Sequence, residues 1–355
     1  MISYPCVTCD RQKLLHNLNT LAEQMHKDNR IFAAVIKGFS ADDDIIHIIE
    51  ESDCDWIADS RIEDLLKLST KKNRFLIRLS QLSEIPNVIL GSDVSFESEV
   101  TTIQALQEEA KRQNVTHGII IAIDMGDLRE GCFFQNLADI DAAVMSVQRS
   151  PNLKLMGIGT NLGCFGGVIT DRNNMEGLIA VADYIEKKFH CKLGYISGMT
   201  SAAYGMAKDG SMPTRINHGR FGELWLLGFE SVSRVRYPEY YDDAFLFHAQ
   251  IIEIKEKPSK PIGKIGGNAF GIYVERPDYG NMLRGLLAFG SQDVEYEYLV
   301  PAEPGVTFLG SSSDHTIVQL DPTKHYQVGD ILKFKLKYHS LLRLYTSKYV
   351  KKYII

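Results

Sequence analysis

From about residue 30 to about residue 230, short β-branched or apolar runs alternate with longer amphipathic ones, which restricts this stretch to repeated βα units around a parallel sheet. Eight strands are readable: Ile31–Lys37, Trp56–Asp59, Arg74–Leu79, Val94–Phe96, Gly118–Asp124, Leu153–Thr160, Leu193–Ser197 and Arg215–Gly219. Eight such units fit a closed (β/α)8 barrel of the TIM type better than an open sheet. Between the second and third strands, Ser60 to Leu68 reads as a barrel helix, with Ser60 as cap, Glu63 three residues on, and Ile62, Leu65, Leu66 and Leu68 at helical spacing. Beyond Tyr240 the texture changes to alternating runs, Phe245–Lys255, Gly285–Phe289, Val306–Leu309, Thr316–Leu320 and Ile331–Tyr338, separated by Gly, Pro and Asp turns. That is the pattern of an all-β domain, which the strand-like Tyr4–Asp10 is expected to join. The expected organisation is an N-terminal strand in residues 1–10, a barrel over 11–235 and a C-terminal β domain over 236–355.

With 355 residues, 45% of them hydrophobic, the chain is long enough for two cores. Its net charge of −6 comes from interspersed acidic and basic residues, with no basic block to follow a phosphate backbone, so nucleic acid is not expected as a partner. No apolar run approaches the ~20 residues of a membrane helix. The opening MISYPCVTCD lacks the charged and apolar regions of a secretory signal, so a cytoplasmic location is expected, with the six cysteines as free thiols. Cys6 and Cys9 have C-x-x-C spacing but sit in a strand-like segment with no second pair to complete a metal site, and no metal is expected.

The C-terminal ends of barrel strands carry the chemistry, because their loops converge on one mouth. Lys37 ends the apolar run Ala33-Ala34-Val35-Ile36, Asp124 ends Ile119–Ile123, Asn161 follows Gly157–Thr160, and Arg220 follows the last strand. An amine in a tight apolar site is partly desolvated, which lowers its pKa and suits it to condense with an aldehyde cofactor. If that cofactor carries a phosphate, it needs backbone N–H groups and hydroxyls. Ser197-Gly198-Met199-Thr200-Ser201 supplies them after the seventh strand and Gly219-Arg220-Phe221-Gly222-Glu223 after the eighth, the two loops most used for phosphate in such barrels.

These motifs together resemble the alanine racemase superfamily of pyridoxal phosphate enzymes, most closely its ornithine racemase branch, from Tyr4-Pro5 to the C-terminus. Ala34–Lys37 is similar to the family's cofactor-lysine strand and Trp56–Arg61 to its second strand. Asp124–Gly131 resembles the loop of its substrate-side arginine, here Arg129, and Ser197–Ser201 with Arg220–Glu223 resemble the loops for phosphate and pyridine nitrogen. Glu256–Ser259, Ala269–Gly271 and Ser312–His315 fit the ornithine-type C-terminal domain. The resemblance implies a type III fold, pyridoxal phosphate held by Lys37 as a Schiff base, α-proton abstraction from the substrate's aldimine, and a homodimer with composite sites. Arg220 is then expected at the pyridine nitrogen. As a permanent donor it leaves the ring unprotonated, a weaker electron sink that suits brief proton removal. Asn161, Ser197, Thr200, Ser201, Gly222, Glu223 and Tyr338 complete the expected cofactor contacts.

The sequence departs from the family pattern at several points. Phe270 stands where alanine racemases place the tyrosine that serves as second base, leaving Cys164, Asp314 and His315 as candidates. Ala122 replaces a carbamylated lysine and Asn161 an aromatic imidazole, so alanine need not be the substrate. Asp127, Glu130 and Asp314 are candidates for a distal ammonium, which fits ornithine or lysine. A decarboxylase and a non-catalytic carrier of the same cofactor are the alternatives. The decarboxylases set an acid against the ring nitrogen where Arg220 stands, and the carriers lack the β domain.

Overall fold

The computed structural model describes residues 2–267 and 271–355. The structure divides into two units, one built from Leu14–Tyr241 and one from the segment up to Lys13 together with Asp242–Ile355. Phe270 lies outside the described residues.

The first unit is a closed barrel of eight parallel strands, β1 (Ile31–Val35), β2 (Trp56–Asp59), β3 (Asn73–Leu76), β4 (Val94–Glu97), β5 (His117–Asp124), β6 (Leu153–Gly159), β7 (Tyr195–Met199) and β8 (His218–Phe221). Each pairs with the next, and β8 pairs with β1, so the sheet has no edge between them. Successive side chains on a strand point to opposite faces. Ala33, Val35, Trp56, Ala58, Phe75, Val94, Phe96, Ile120 and Ala122 therefore fill the interior, while Phe32, Ile57 and Ile121 are buried on the outer face. Small residues let the strands approach. A Cβ on Gly157 of β6 would stand 1.9 Å from the Tyr195 carbonyl oxygen on β7, so only glycine fits that crossing.

The expected helix from Ser60 to Leu68 shrinks to one turn, Ile62–Leu65. Ser60 is not its cap. Asp59 Oδ1 instead accepts from the Arg61 N–H at 2.8 Å, which turns the chain before the helix and leaves Ser60 at the barrel mouth.

In the second unit, Phe245–Pro258 is the long central strand, with Phe245, Phe247, Ala249 and Ile251 buried at every second position. It pairs antiparallel with Ile331–Leu336 and with Asn281–Leu287, and Thr316–Leu320 and Val306–Ser311 extend the sheet. Cys6–Cys9 lies between this strand and Lys351–Ile354. On a strand, positions three apart face opposite ways, so the Cys6 and Cys9 thiols do not meet; burial pushes the Cys6 thiol up to about 11. The last strand was expected to run on to Tyr338, but it stops at Leu336, and Tyr338–Thr346 is a helix. Ser340 Oγ accepts from the Lys337 N–H at 3.0 Å, and Leu341, Leu344 and Tyr345 give the helix one buried face. No helix among the described residues is long and apolar enough to cross a membrane.

Candidate active site

At the C-terminal ends of the barrel strands a cavity of about 430 Å³ opens, within the usual size for a small-molecule site. Lys37 lines it, in the single 3₁₀ turn that follows β1, and Arg220 lines it from β8 next door. Ser60, Ile77, Arg78, Leu79 and Phe96 come from the ends of β2, β3 and β4, and Arg129, Glu130, Asn161 and Cys164 from the loops after β5 and β6.

Arg220 is buried and held by a fixed set of acceptors. Its Nη1 donates to the Ser197 carbonyl at 3.1 Å and to Ser197 Oγ at 2.6 Å, and its Nη2 to the Thr160 carbonyl. The guanidinium stacks 4.8 Å from the centre of the Phe96 ring. Burial lowers its pKa to about 10, so it stays cationic at neutral pH. A guanidinium can only donate, so Ser197 Oγ accepts from Arg220, and the same hydroxyl shares a hydrogen bond with His218 Nδ1, 2.7 Å away. His218 Nε2 lies buried among the rings of Trp56, Phe75 and Tyr195. Burial, then the nearby Arg220 charge, lowers the His218 pKa to about 3, and the imidazole is neutral. Ser197, expected as a cofactor contact, is fully buried and is not among the residues that line the cavity; its hydroxyl is engaged inside the barrel wall by Arg220 and His218.

Arg129 is mounted differently. Asp124 Oδ1 accepts from the Gly126 and Leu128 N–H groups at 2.8 and 3.1 Å, starting a tight loop that returns to β5 at Gly131. There φ is +112°, and a Cβ would lie 2.9 Å from the Ala122 carbonyl carbon. Within this loop Arg129 forms a two-pronged ion pair with Glu130 and, with the Asn161 amide turned oxygen-first, donates to it from Nη1 at 3.2 Å. Hydrogen bonding to Glu130 raises the Arg129 pKa. Cys164 also bonds Arg129. Asn161 therefore serves the arginine from the cavity wall.

Asp127, one of the candidates for a distal ammonium, is buried. Its carboxylate accepts from the N–H groups of Gly163, Phe165 and Val168 at 2.9, 2.9 and 3.2 Å, tying the loop after β6 to the loop after β5. Burial would raise its pKa, but these backbone donors outweigh that and hold it below the ordinary carboxylate value. At 1% exposure it presents no open face to a substrate.

The turns after β7 and β8 meet because these strands are neighbours. Thr200 precedes a short turn, Ser201–Ala203, and Ser201 Oγ accepts from the Leu224 N–H at 3.2 Å, just beyond Gly222. Glu223 accepts from the Ser231 N–H at 3.0 Å, and burial raises its pKa. Asp314 and Tyr338 belong to the other unit, where Asp314 accepts from Gln292 at 3.1 Å and from Ser313 at 2.7 Å and Tyr338 opens a helix. His315 sits beside Asp314 in the same turn. Sequence reasoning passed over His218, Arg78, Ile77, Leu79 and Phe96. The position of Arg78, at the end of a strand, was the signal for it; the apolar three read as core.

A lysine and a buried permanent cation lining one cavity, with polar turns beside it on β7 and β8, are a donor set suited to an aldehyde cofactor that carries a phosphate and a ring nitrogen. Residues 9–227 match the family of the alanine racemase N-terminal domain. The chain is 37% identical to ornithine racemase of Acetoanaerobium sticklandii over 354 residues, covering 99% of this chain and all of that one. It is 29% identical to lysine racemase of Thermotoga maritima, covering 98% of each. Among solved structures, alanine racemase of Clostridium difficile 630 superposes with a TM-score of 0.76 at 16% identity, covering 100% of this chain and 97% of that one.

Proposed function

The chain belongs to the alanine racemase family, and from that premise we propose that it is a pyridoxal phosphate-dependent amino-acid racemase acting on basic amino acids, with its chemistry at the mouth of the barrel. The observation that carries this is Lys37 and Arg220 lining one cavity from adjacent strands. The cofactor, when bound, condenses with amines through its aldehyde and draws electron density from Cα, which makes the α-proton acidic.

The chain's own residues would do the rest. Lys37 holds the cofactor and then takes or returns the proton at Nζ on one side of Cα. Arg220, fixed by Ser197, Thr160 and Phe96, donates to the ring nitrogen without giving up its proton. The turns carrying Thr200, Ser201, Gly222 and Glu223 hold the phosphate. Arg129 orients the substrate carboxylate, and Cys164 Sγ, on the same wall, moves the proton on the side opposite Lys37. Leu128, Phe165 and Ile169 are large apolar side chains left more than half exposed on the loops of the barrel unit, which supports a homodimer in solution. Asp314 is then the group a second copy would bring to the composite site. The free thiols accord with a cytoplasmic setting.

Incubating the protein with pyridoxal phosphate and L-ornithine in deuterated water tests the proposal. Deuterium at Cα, approach to an equal mixture of enantiomers and no carbon dioxide are expected. Carbon dioxide release, or a Cα proton that never exchanges, would overturn it.

A further inference from the structure

Resting on that reading, we infer that Arg129 and Glu130 form an exchangeable ion pair that selects diamino acids: the substrate α-carboxylate takes Arg129 and the distal ammonium takes Glu130. Among the described residues that line the cavity there are four cationic side chains, Lys37, Arg78, Arg129 and Arg220, and one carboxylate, Glu130. Two of those cations are committed elsewhere. Arg78 pairs with Glu84 at 2.9 Å, and Arg220 is held by Ser197 and Thr160 and, on that reading, turned to the cofactor's ring nitrogen. Within the barrel unit Asp127 is closed off by its three backbone donors, which leaves Glu130 as the carboxylate able to meet a cationic side chain in this cavity.

The pair is what makes the choice. When a carboxylate engages Arg129, Glu130 gives up its cation in a partly closed cavity, where its side chain is 23% exposed. An uncompensated carboxylate is costly there, and a neutral amino acid brings nothing to replace the lost partner. A diamino acid brings its own ammonium and restores both pairs. Ile77, Leu79 and Phe96 supply an apolar wall for the methylene chain between its two charged ends. Glu130 is therefore a specificity group; a carboxylate that only held Arg129 in place would support every substrate equally.

The test compares L-ornithine with L-norvaline, which has the same carbon chain without the terminal amine, in the wild-type and Glu130→Gln holoenzymes. The ratio of kcat/KM for ornithine to that for norvaline is expected to fall roughly 10- to 100-fold in the variant, mostly through KM. Dissociation constants from the cofactor's absorbance change should shift in the same ratio, and Glu130→Asp, which keeps the charge, should recover part of it. An unchanged ratio, including an equal fall for both substrates, would overturn the inference while leaving the racemase reading intact. Absence of Cα exchange with any amino acid in the wild type would instead overturn the racemase reading, and this inference with it.

Discussion

The two arginines of the barrel mouth are built on opposite plans. Arg220 stands on strand β8, 5% exposed, with its protons divided among a hydroxyl and two backbone carbonyls that cannot move away from it. Arg129 stands on a loop, its side chain 38% exposed, paired with a carboxylate on the next residue. Backbone acceptors inside a barrel fix a charge in one place. A side-chain partner on a loop can be traded for a ligand. On the proposed reading, the strand arginine suits the lasting task of holding a cofactor and the loop arginine the repeated task of admitting and releasing a substrate.

The largest expected effect separates the two plans. Arg220→Leu strands the acceptors at Ser197 and Thr160 inside the barrel and should cost roughly 2–4 kcal/mol in denaturant unfolding, together with cofactor affinity. Arg129→Leu should change stability by less than about 1 kcal/mol while raising KM steeply. Equal destabilisation by both would erase the contrast.

Asp127→Ala comes next, because the loop after β6 is anchored through three N–H groups to that one carboxylate. A loss of about 1–3 kcal/mol is expected, with faster alkylation of Cys164, whose loop is released. An alkylation rate equal to wild type would show that the two loops are not tied through Asp127.

A smaller, pH-dependent effect probes the support beneath Arg220. His218 is held near 3 in the fold against an ordinary 6.5. The unfolded chain takes up this proton as the pH falls below about 6.5, whereas the folded chain does not until about 3, so stability is complete above that window and is lost as the pH falls through it. His218→Gln has no proton to take up. Its Tm relative to wild type should improve between pH 7 and pH 4, by the equivalent of roughly 3 kcal/mol; a difference that stays constant would mean that His218 is not buried as a neutral base.

The barrel was legible in the sequence because a fully buried parallel strand leaves a dense apolar run, and eight such runs recur between amphipathic segments. Lys37, Asn161 and Arg220 were legible as site candidates because polar residues that end such runs must emerge at the mouth, whereas Arg129 and Cys164 came from the family resemblance and its missing tyrosine; the structure brings these five together around one cavity. What the sequence does not carry is the choice of partner. Ser197 reads as a hydroxyl available for phosphate, yet it lies opposite His218 in the β7–β8 register and serves the wall. Asp127 and Glu130 are both acids in one loop, and only the fold shows that one faces backbone donors while the other lines the cavity. The helix after Ser60 fails for a similar reason: the Asp59 carboxylate takes up the local turn, a competition that apolar spacing does not reveal.

On the proposed reading, Lys37 is the amine that holds the cofactor in this cavity. Reducing the pyridoxal phosphate-loaded protein with borohydride, digesting it and mapping the added mass by peptide sequencing tests that directly. The modification is expected on the peptide that contains Lys37, and Lys37→Ala should lose both the modification and the bound cofactor's visible absorbance. Modification of a different lysine in the wild type, or undiminished absorbance in Lys37→Ala, would contradict the account.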